Sequence, residues 1–203
     1  MELTAAYLNC TLKRSPAPSS TDRMLDLFRA ELLDAGVTGG PGVRIVDHQV
    51  ATGVSHDEGD GDAWPAIREQ ILGAQILVFG TPIWMGHPAS PAQRVLERLD
   101  AFISETDDRS QMPTVDRVAL VAVVGNEDGA HHVGAQLYQG LADIGFTVPA
   151  NGMAYWVGEA MGSTDFADLD EVPEKVQATV QTAAANAVHL ARLLAGDPYP
   201  SVG

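Results

Sequence analysis

The sequence predicts an α/β domain: a five-stranded, parallel sheet with helices on both faces. Short apolar runs alternate with longer amphipathic ones along the 203 residues, the pattern of strands joined by crossover helices. Residues 118–124 are apolar without alternation, as a strand covered on both faces must be. The amphipathic stretches repeat their apolar residues at helical spacing.

Residues 3–8 read as the first strand, and a polar, proline-containing loop over 9–20 follows it. A helix then starts near Thr21, buries Met24, Leu27, Phe28, Leu32 and Ala35, and stops at Gly36. The second strand is placed at 43–48. The Gly- and Asp-rich stretch from there through Asp62 reads as a solvated loop. A short helix over 63–72 carries Trp64, Ile67 and Ile71, with Pro65 in its tolerant first turn. The third strand is 75–79. Ser90-Pro91-Ala92-Gln93 reads as a capping box, opening a helix that buries Val95, Leu96, Leu99 and Phe102. After the fourth strand at 118–124, a helix over 129–144 turns Val133, Leu137, Leu141 and Ile144 inward, with Gly145 as its stop. A fifth strand region over 146–157 is interrupted by Pro149 and Gly152. An acidic connection leads to a long helix over 173–194, with Val176, Val180, Ala184, Ala187, Leu190 and Leu194 on its core side. No repeat, low-complexity tract or linker divides the chain, so residues 1–203 read as one domain.

The formal charge is −15, from 27 acidic and 12 basic residues. Nucleic acid and anionic membranes are recognised by clustered Lys and Arg, so neither is an expected partner. No stretch approaches the ~20 apolar residues of a membrane helix, and the first residues carry no secretory-signal pattern. Cys10 is the sole cysteine, which excludes an internal disulfide and fits a reducing cytoplasm.

In an open parallel sheet, ligands bind beyond the carboxyl ends of the strands where strand order reverses. With order 2-1-3-4-5 that point lies between the first and third strands, and the loops after both are unusual. The first, Asn-Cys-Thr-Leu-Lys-Arg-Ser-Pro-Ala-Pro-Ser-Ser-Thr-Asp, presents Thr11, Ser15, Ser19, Ser20 and Thr21 hydroxyls around Lys13 and Arg14. It runs into a helix N-terminus, where free amides and the helix dipole favour an anion such as a phosphate. The competing reading is that Ser19 or Ser20 only caps the helix. The loop after the third strand, Gly-Thr-Pro-Ile-Trp-Met-Gly-His, sets Pro82, Ile83, Trp84 and Met85 in succession. Such a wall suits a flat heterocycle with a polar rim; alternatively it packs on a neighbouring helix or a second subunit. The turn after the fourth strand brings Gly125, Asn126 and Gly129, small enough to approach a bound ring.

At these three turns the chain resembles the NADPH-dependent FMN reductase family of flavodoxin-like proteins. That family carries a first loop like GSPRxxGNT, a second like GTPIYWG and a third rich in Gly and acidic residues. The counterparts here are Cys10-Thr11-Leu12-Lys13 with Ser20-Thr21, then Gly80-Thr81-Pro82-Ile83-Trp84-Met85-Gly86, then Gly125-Asn126-Glu127-Asp128-Gly129. The resemblance implies a flavodoxin-like three-layer sandwich binding FMN. Thr11, Lys13, Ser19, Ser20 and Thr21 would hold the phosphate. Thr81, Pro82, Ile83, Trp84, Met85 and Gly86 would line the ring, and Gly125, Asn126 and Gly129 would close its other edge. Cys10 stands where the family has Gly. The cysteine cluster of iron–sulfur relatives is missing, so no metal is expected.

The implied activity is hydride transfer from NAD(P)H to bound FMN and on to a quinone, flavin or similar small-molecule acceptor, in a homodimer. No residue is assigned as a catalytic acid or base. His87, His131 and Glu127 are candidates to assist quinone protonation, with surface or capping roles favoured. Adjacent on a helix, His131 and His132 would point apart rather than at one metal. Two alternatives stay open: a one-electron flavodoxin-type carrier without direct NAD(P)H activity, and a flavin-free binding module.

Overall fold

The computed structural model describes residues 2–201. Strand β1 (Leu3–Asn9) lies between β2 (Val37–Gly39) and β3 (Val43–Arg44) on one side and β4 (Ile76–Trp84) on the other. Beyond β4 come β6 (Val118–Gly125) and β7 (Met153–Val157), giving the path β2-β1-β4-β6-β7 with all its pairs parallel. This is the expected 2-1-3-4-5 order. It gains two short strands, because the edge strand is divided into β2 and β3 and β5 (His87–Pro88) folds back antiparallel on the end of β4.

Period-two alternation divides β6 between two cores. Val118, Leu120, Ala122 and Val124 face α1 (Ser20–Asp34) and α5 (Glu174–Gly196). Ala119, Val121 and Val123 face α2 (Trp64–Leu72), α3 (Ser90–Leu99) and α4 (Ala130–Asp143). The result is a three-layer sandwich. Helix α1 buries Met24, Leu25, Phe28 and Leu32; α4 buries Val133, Leu137 and Leu141.

Four local expectations are corrected. The edge strand does not run over 43–48. Pro41, without an N–H, interrupts the ladder after β2, and residues Ile45–Asp47 form a 3-10 turn. Asp47 leaves the sheet to accept hydrogen bonds from the Ser15 amide and hydroxyl, at 2.9 and 2.5 Å. Those donors hold its carboxyl below the usual carboxylate range. The third strand does not end at residue 79 but continues to Trp84. Pro82 is tolerated there because β1 pairs with β4 only as far as Gly80 and β5 pairs only from Ile83, leaving β6 as the strand paired at Pro82 itself. The Ser90 capping box is not formed: the cap is Ala89, with no side-chain bond. The Ala89 amide donates to Thr81 Oγ1 at 3.1 Å, which fixes the helix entry one residue earlier.

The fourth correction concerns the acidic loop before α2. Asp62 is not solvated: its side chain and that of Arg98 are both fully buried, ion-paired at 2.7 Å. Arg98 Nε and Nη1 also donate to the Ser55 and Ala51 carbonyls, each at 3.0 Å. Two carbonyls and a carboxylate give the buried guanidinium its partners.

Candidate functional site

A cleft of about 410 Å³ opens at the carboxyl ends of β1, β4 and β6, at the reversal of strand order. Its first wall is the loop after β1. The Thr11 amide donates to Asn9 Oδ1 at 2.9 Å, and Thr11 Oγ1 accepts the Lys13 amide at 3.3 Å. Asn9 donates to Asp22, which also pairs with Arg44, and Arg44 Nη1 reaches the Ala17 carbonyl at 2.9 Å. The loop is thus tied to the first turn of α1. Thr11, Lys13, Ser20 and Thr21 line the cleft.

Ser19 does not line it. Its hydroxyl caps α1, accepting the Asp22 amide at 3.3 Å. Ser15 is committed to Asp47, and Arg14 is exposed outside the cleft.

The second wall is the end of β4. Pro82, Ile83, Trp84 and Met85 all face the cleft, Trp84 and Met85 being 54% and 86% exposed. Trp84 pairs with His87 across a two-residue turn whose central residues, Met85 and Gly86, have φ of 53° and 75°. Both are positive, as in a type I′ turn. The Met85 amide donates to Glu127 Oε1 at 2.8 Å, tying this turn to the one after β6. Thr81 is fully buried and supports the wall from behind.

The third wall is the turn after β6, where Gly125 and Asn126 line the cleft. Close contacts within the protein also call for glycine at two positions of this neighbourhood. A Cβ on Gly125 would lie 2.9 Å from the Ile83 Cβ, and one on Gly129 (φ +123°) 2.8 Å from the Gly86 Cα. Both therefore serve contacts within the protein. Gly86 and Gly129 line a second, adjoining cavity of about 700 Å³. His87, His131 and His132 also line it. The two histidines of α4 do point apart: His131 meets Tyr155 edge-on at 5.0 Å, while His132 meets His87 at 5.1 Å. Gln136 Nε2 lies 2.6 Å from His132 Nε2.

Sequence reasoning missed the fourth wall. The segment after β7 folds over the cleft and contributes Met161, Asp165 and Phe166, with Trp156 from β7 itself. Phe166 is fully buried against Trp156, ring centroids 5.4 Å apart. Arg23 Nη1 holds this end, donating to the Phe166, Ala167 and Leu169 carbonyls at 2.8, 3.1 and 2.6 Å. The Ala167 amide donates to Ser20 Oγ at 3.1 Å. Asp165 accepts from Asn126 Nδ2 at 3.0 Å and pairs with Lys13 Nζ at 3.4 Å. Asn126 Oδ1 is buried and has no hydrogen-bond partner among the described residues. The signal available was an aromatic and an aspartate within the acidic connection, Asp165-Phe166.

Cys10 is fully buried, its amide donating to the Gly80 carbonyl at 2.9 Å, and burial pushes its thiol up. It is inert as a nucleophile.

The chain matches the family described as NADPH-dependent FMN reductase over residues 6–162. The chain belongs to this family. It is 34% identical to an 8-demethyl-8-aminoriboflavin-5'-phosphate synthase of Streptomyces davaonensis, an alignment spanning 98% of this chain and 81% of that protein. A solved structure of RosB with a bound intermediate, 8-demethyl-8-formylriboflavin-5'-phosphate, superposes with a TM-score of 0.87 at 34% identity. It covers 97% of this chain and 82% of that one. A flavodoxin from the domain Archaea superposes with a TM-score of 0.59 at 8% identity, over 94% of this chain and 99% of that one, and shares the fold alone. This FMN reductase family member is accordingly a flavin-dependent oxidoreductase of flavodoxin-like fold. Among its described residues no helix is long and apolar enough to cross a membrane.

Proposed function

We propose that the cleft binds riboflavin 5'-phosphate and that the protein passes hydride from NAD(P)H through it to a small-molecule acceptor. The observation that carries this reading is the meeting, in one cleft at the reversal of strand order, of a hydroxyl- and lysine-bearing end with an apolar, aromatic wall. The donor set fits the whole molecule. Thr11, Ser20, Thr21 and Lys13 gather at one end and suit a phosphate. Pro82, Ile83, Trp84, Met85 and Trp156 give apolar contact for a ring system.

When bound, the flavin supplies the redox chemistry. The residues of this chain bind and orient it. Thr11, Lys13, Ser20 and Thr21 fix the phosphate, and the β4 wall and Trp156 exclude water from the ring. Gly125 and Asn126 flank the ring's other edge. Ser19, Thr81, Gly86 and Gly129 take supporting roles. The exposed apolar rim of Leu12, Trp84, Met85 and Met161 supports a homodimer as part of the same reading.

A second reading is favoured by the relative whose name makes a modified flavin its product. In it, FMN is the substrate and leaves altered. One experiment separates the two. The protein is incubated with FMN and either NADH or NADPH without air, or with FMN, an amine donor and air, and the flavin is recovered and weighed by mass spectrometry. The hydride reading expects nicotinamide-dependent loss of the yellow flavin colour and an unchanged flavin mass after reoxidation. A new flavin mass, with no nicotinamide-dependent bleaching, replaces it with the modification reading.

A further inference from the structure

We infer that Asp165 is a built-in competitor for the flavin phosphate, setting how tightly the cleft holds a 5'-phosphorylated flavin. This inference rests on the flavin reading above and assigns Asp165 a role in selectivity.

Among the described residues, Lys13 is the one basic side chain lining the cleft, against two acids, Asp165 and Glu127. Glu127 is occupied by the Met85 amide. Asp165 is held against Lys13, 3.4 Å from its ammonium. The two partners are 54% and 43% exposed, so their pairing is weak and cheap to break. A phosphate monoester carries close to two negative charges at neutral pH. To engage Lys13 it must displace a carboxylate that stays nearby, because Asn126 Nδ2 and the 3-10 turn Phe166–Asp168 keep Asp165 in place. Behind that turn, Arg23 and buried Phe166 anchor the segment to α1. The carboxylate is therefore a fixed feature of the phosphate end of the cleft.

Two consequences follow. Riboflavin, which lacks the phosphate, does not sense Asp165, whereas FMN is repelled by it. The cleft also grips FMN less firmly than its hydroxyls and lysine alone would, which suits a flavin that exchanges with solvent. A carboxylate about 6 Å from a dianion, at a water-like dielectric, alters affinity about tenfold.

The test is a pair of titrations, FMN and riboflavin, on the wild-type protein, Asp165→Asn and Lys13→Met. Asn at 165 keeps an acceptor oxygen for Asn126 and removes the charge, with an amide NH2 in place of the oxygen that faces Lys13. The expected result is FMN binding about tenfold tighter in Asp165→Asn, with riboflavin binding unchanged within about twofold and the FMN gain shrinking as salt is added. Lys13→Met should weaken FMN and leave riboflavin alone. Unchanged riboflavin binding also shows that the variant cleft is folded. FMN affinity unaltered by Asp165→Asn, or FMN and riboflavin altered by the same factor, overturns the inference while leaving the flavin reading intact. Wild-type protein that binds neither flavin overturns both.

Discussion

Met85 occupies a backbone conformation that disfavours a methionine. In a type I′ turn both central residues have positive φ, and Asn-Gly is the preferred pair there; here the pair is Met-Gly, with φ of 53° and 75°. The left-handed conformation costs an ordinary L-residue about 1 kcal/mol. Its 86% exposed side chain recovers none of that by burial, which fits a position kept for a ligand. Met85→Asn should therefore raise the melting temperature by about 2–4 °C in a chain of this size, measured by calorimetry, and weaken flavin binding. A lower melting temperature would show that the turn is not under strain. At this scale the sequence exposes residues at or just past the carboxyl ends of strands: Thr11, Lys13, Pro82 and Asn126 can be found because the strands themselves can be found, even where their last residue cannot. Ser19 and Ser20 cannot be told apart in advance, since capping and ligand binding ask for the same hydroxyl at the same helix start. Asp165 is out of reach, because its partners Lys13 and Asn126 are distant in the chain.

Among the elements, the loop before α2 shows how a buried ion pair can resemble a solvated stretch. Asp62 anchors that loop to α3 through Arg98. Burial alone would raise the Asp62 carboxyl, but the Glu58 amide, the Arg98 guanidinium and the Trp64 and Ala51 amides outweigh it and hold it at about 2. The pKa is depressed on folding, so its stabilisation is present above about pH 4 and fades as pH falls from there through about 2. Asp62→Asn should flatten the loss of stability across that window, read by urea unfolding at a series of pH values. Asp62→Ala at neutral pH leaves Arg98 buried without its counterion, at an expected cost of about 3–5 kcal/mol. A cost below about 1 kcal/mol would mean that water reaches Arg98. Element type was legible for the five α-helices, whose one buried stripe repeats at helical spacing, and for the central strands, whose burial on two faces gives an apolar run. Element ends were not. Where β4 stops depends on β6 remaining beside it, and where the edge strand breaks depends on Asp47 meeting Ser15.

For the whole molecule, alternation sufficed to foresee a parallel sheet with helices on both faces; the strand order, which places the cleft where β1 and β4 part, is what the flavodoxin-like resemblance implies. Three of the four walls of that cleft come from the carboxyl ends of strands and the turns that follow them. The fourth comes from the connection between β7 and α5, whose fold is set by Arg23 and Phe166 rather than by local propensity. The central claim is that a hydroxyl-bearing loop and an apolar hairpin grip opposite ends of one flavin. The most direct measurement is an FMN titration of three proteins, followed by the quenching of flavin fluorescence: wild type, Thr11→Val with Lys13→Met, and Trp84→Ala. The account predicts one saturable site per chain in wild type, at least tenfold weaker binding in each variant, and a loss of riboflavin affinity in Trp84→Ala only. Equal FMN affinity in all three would contradict it.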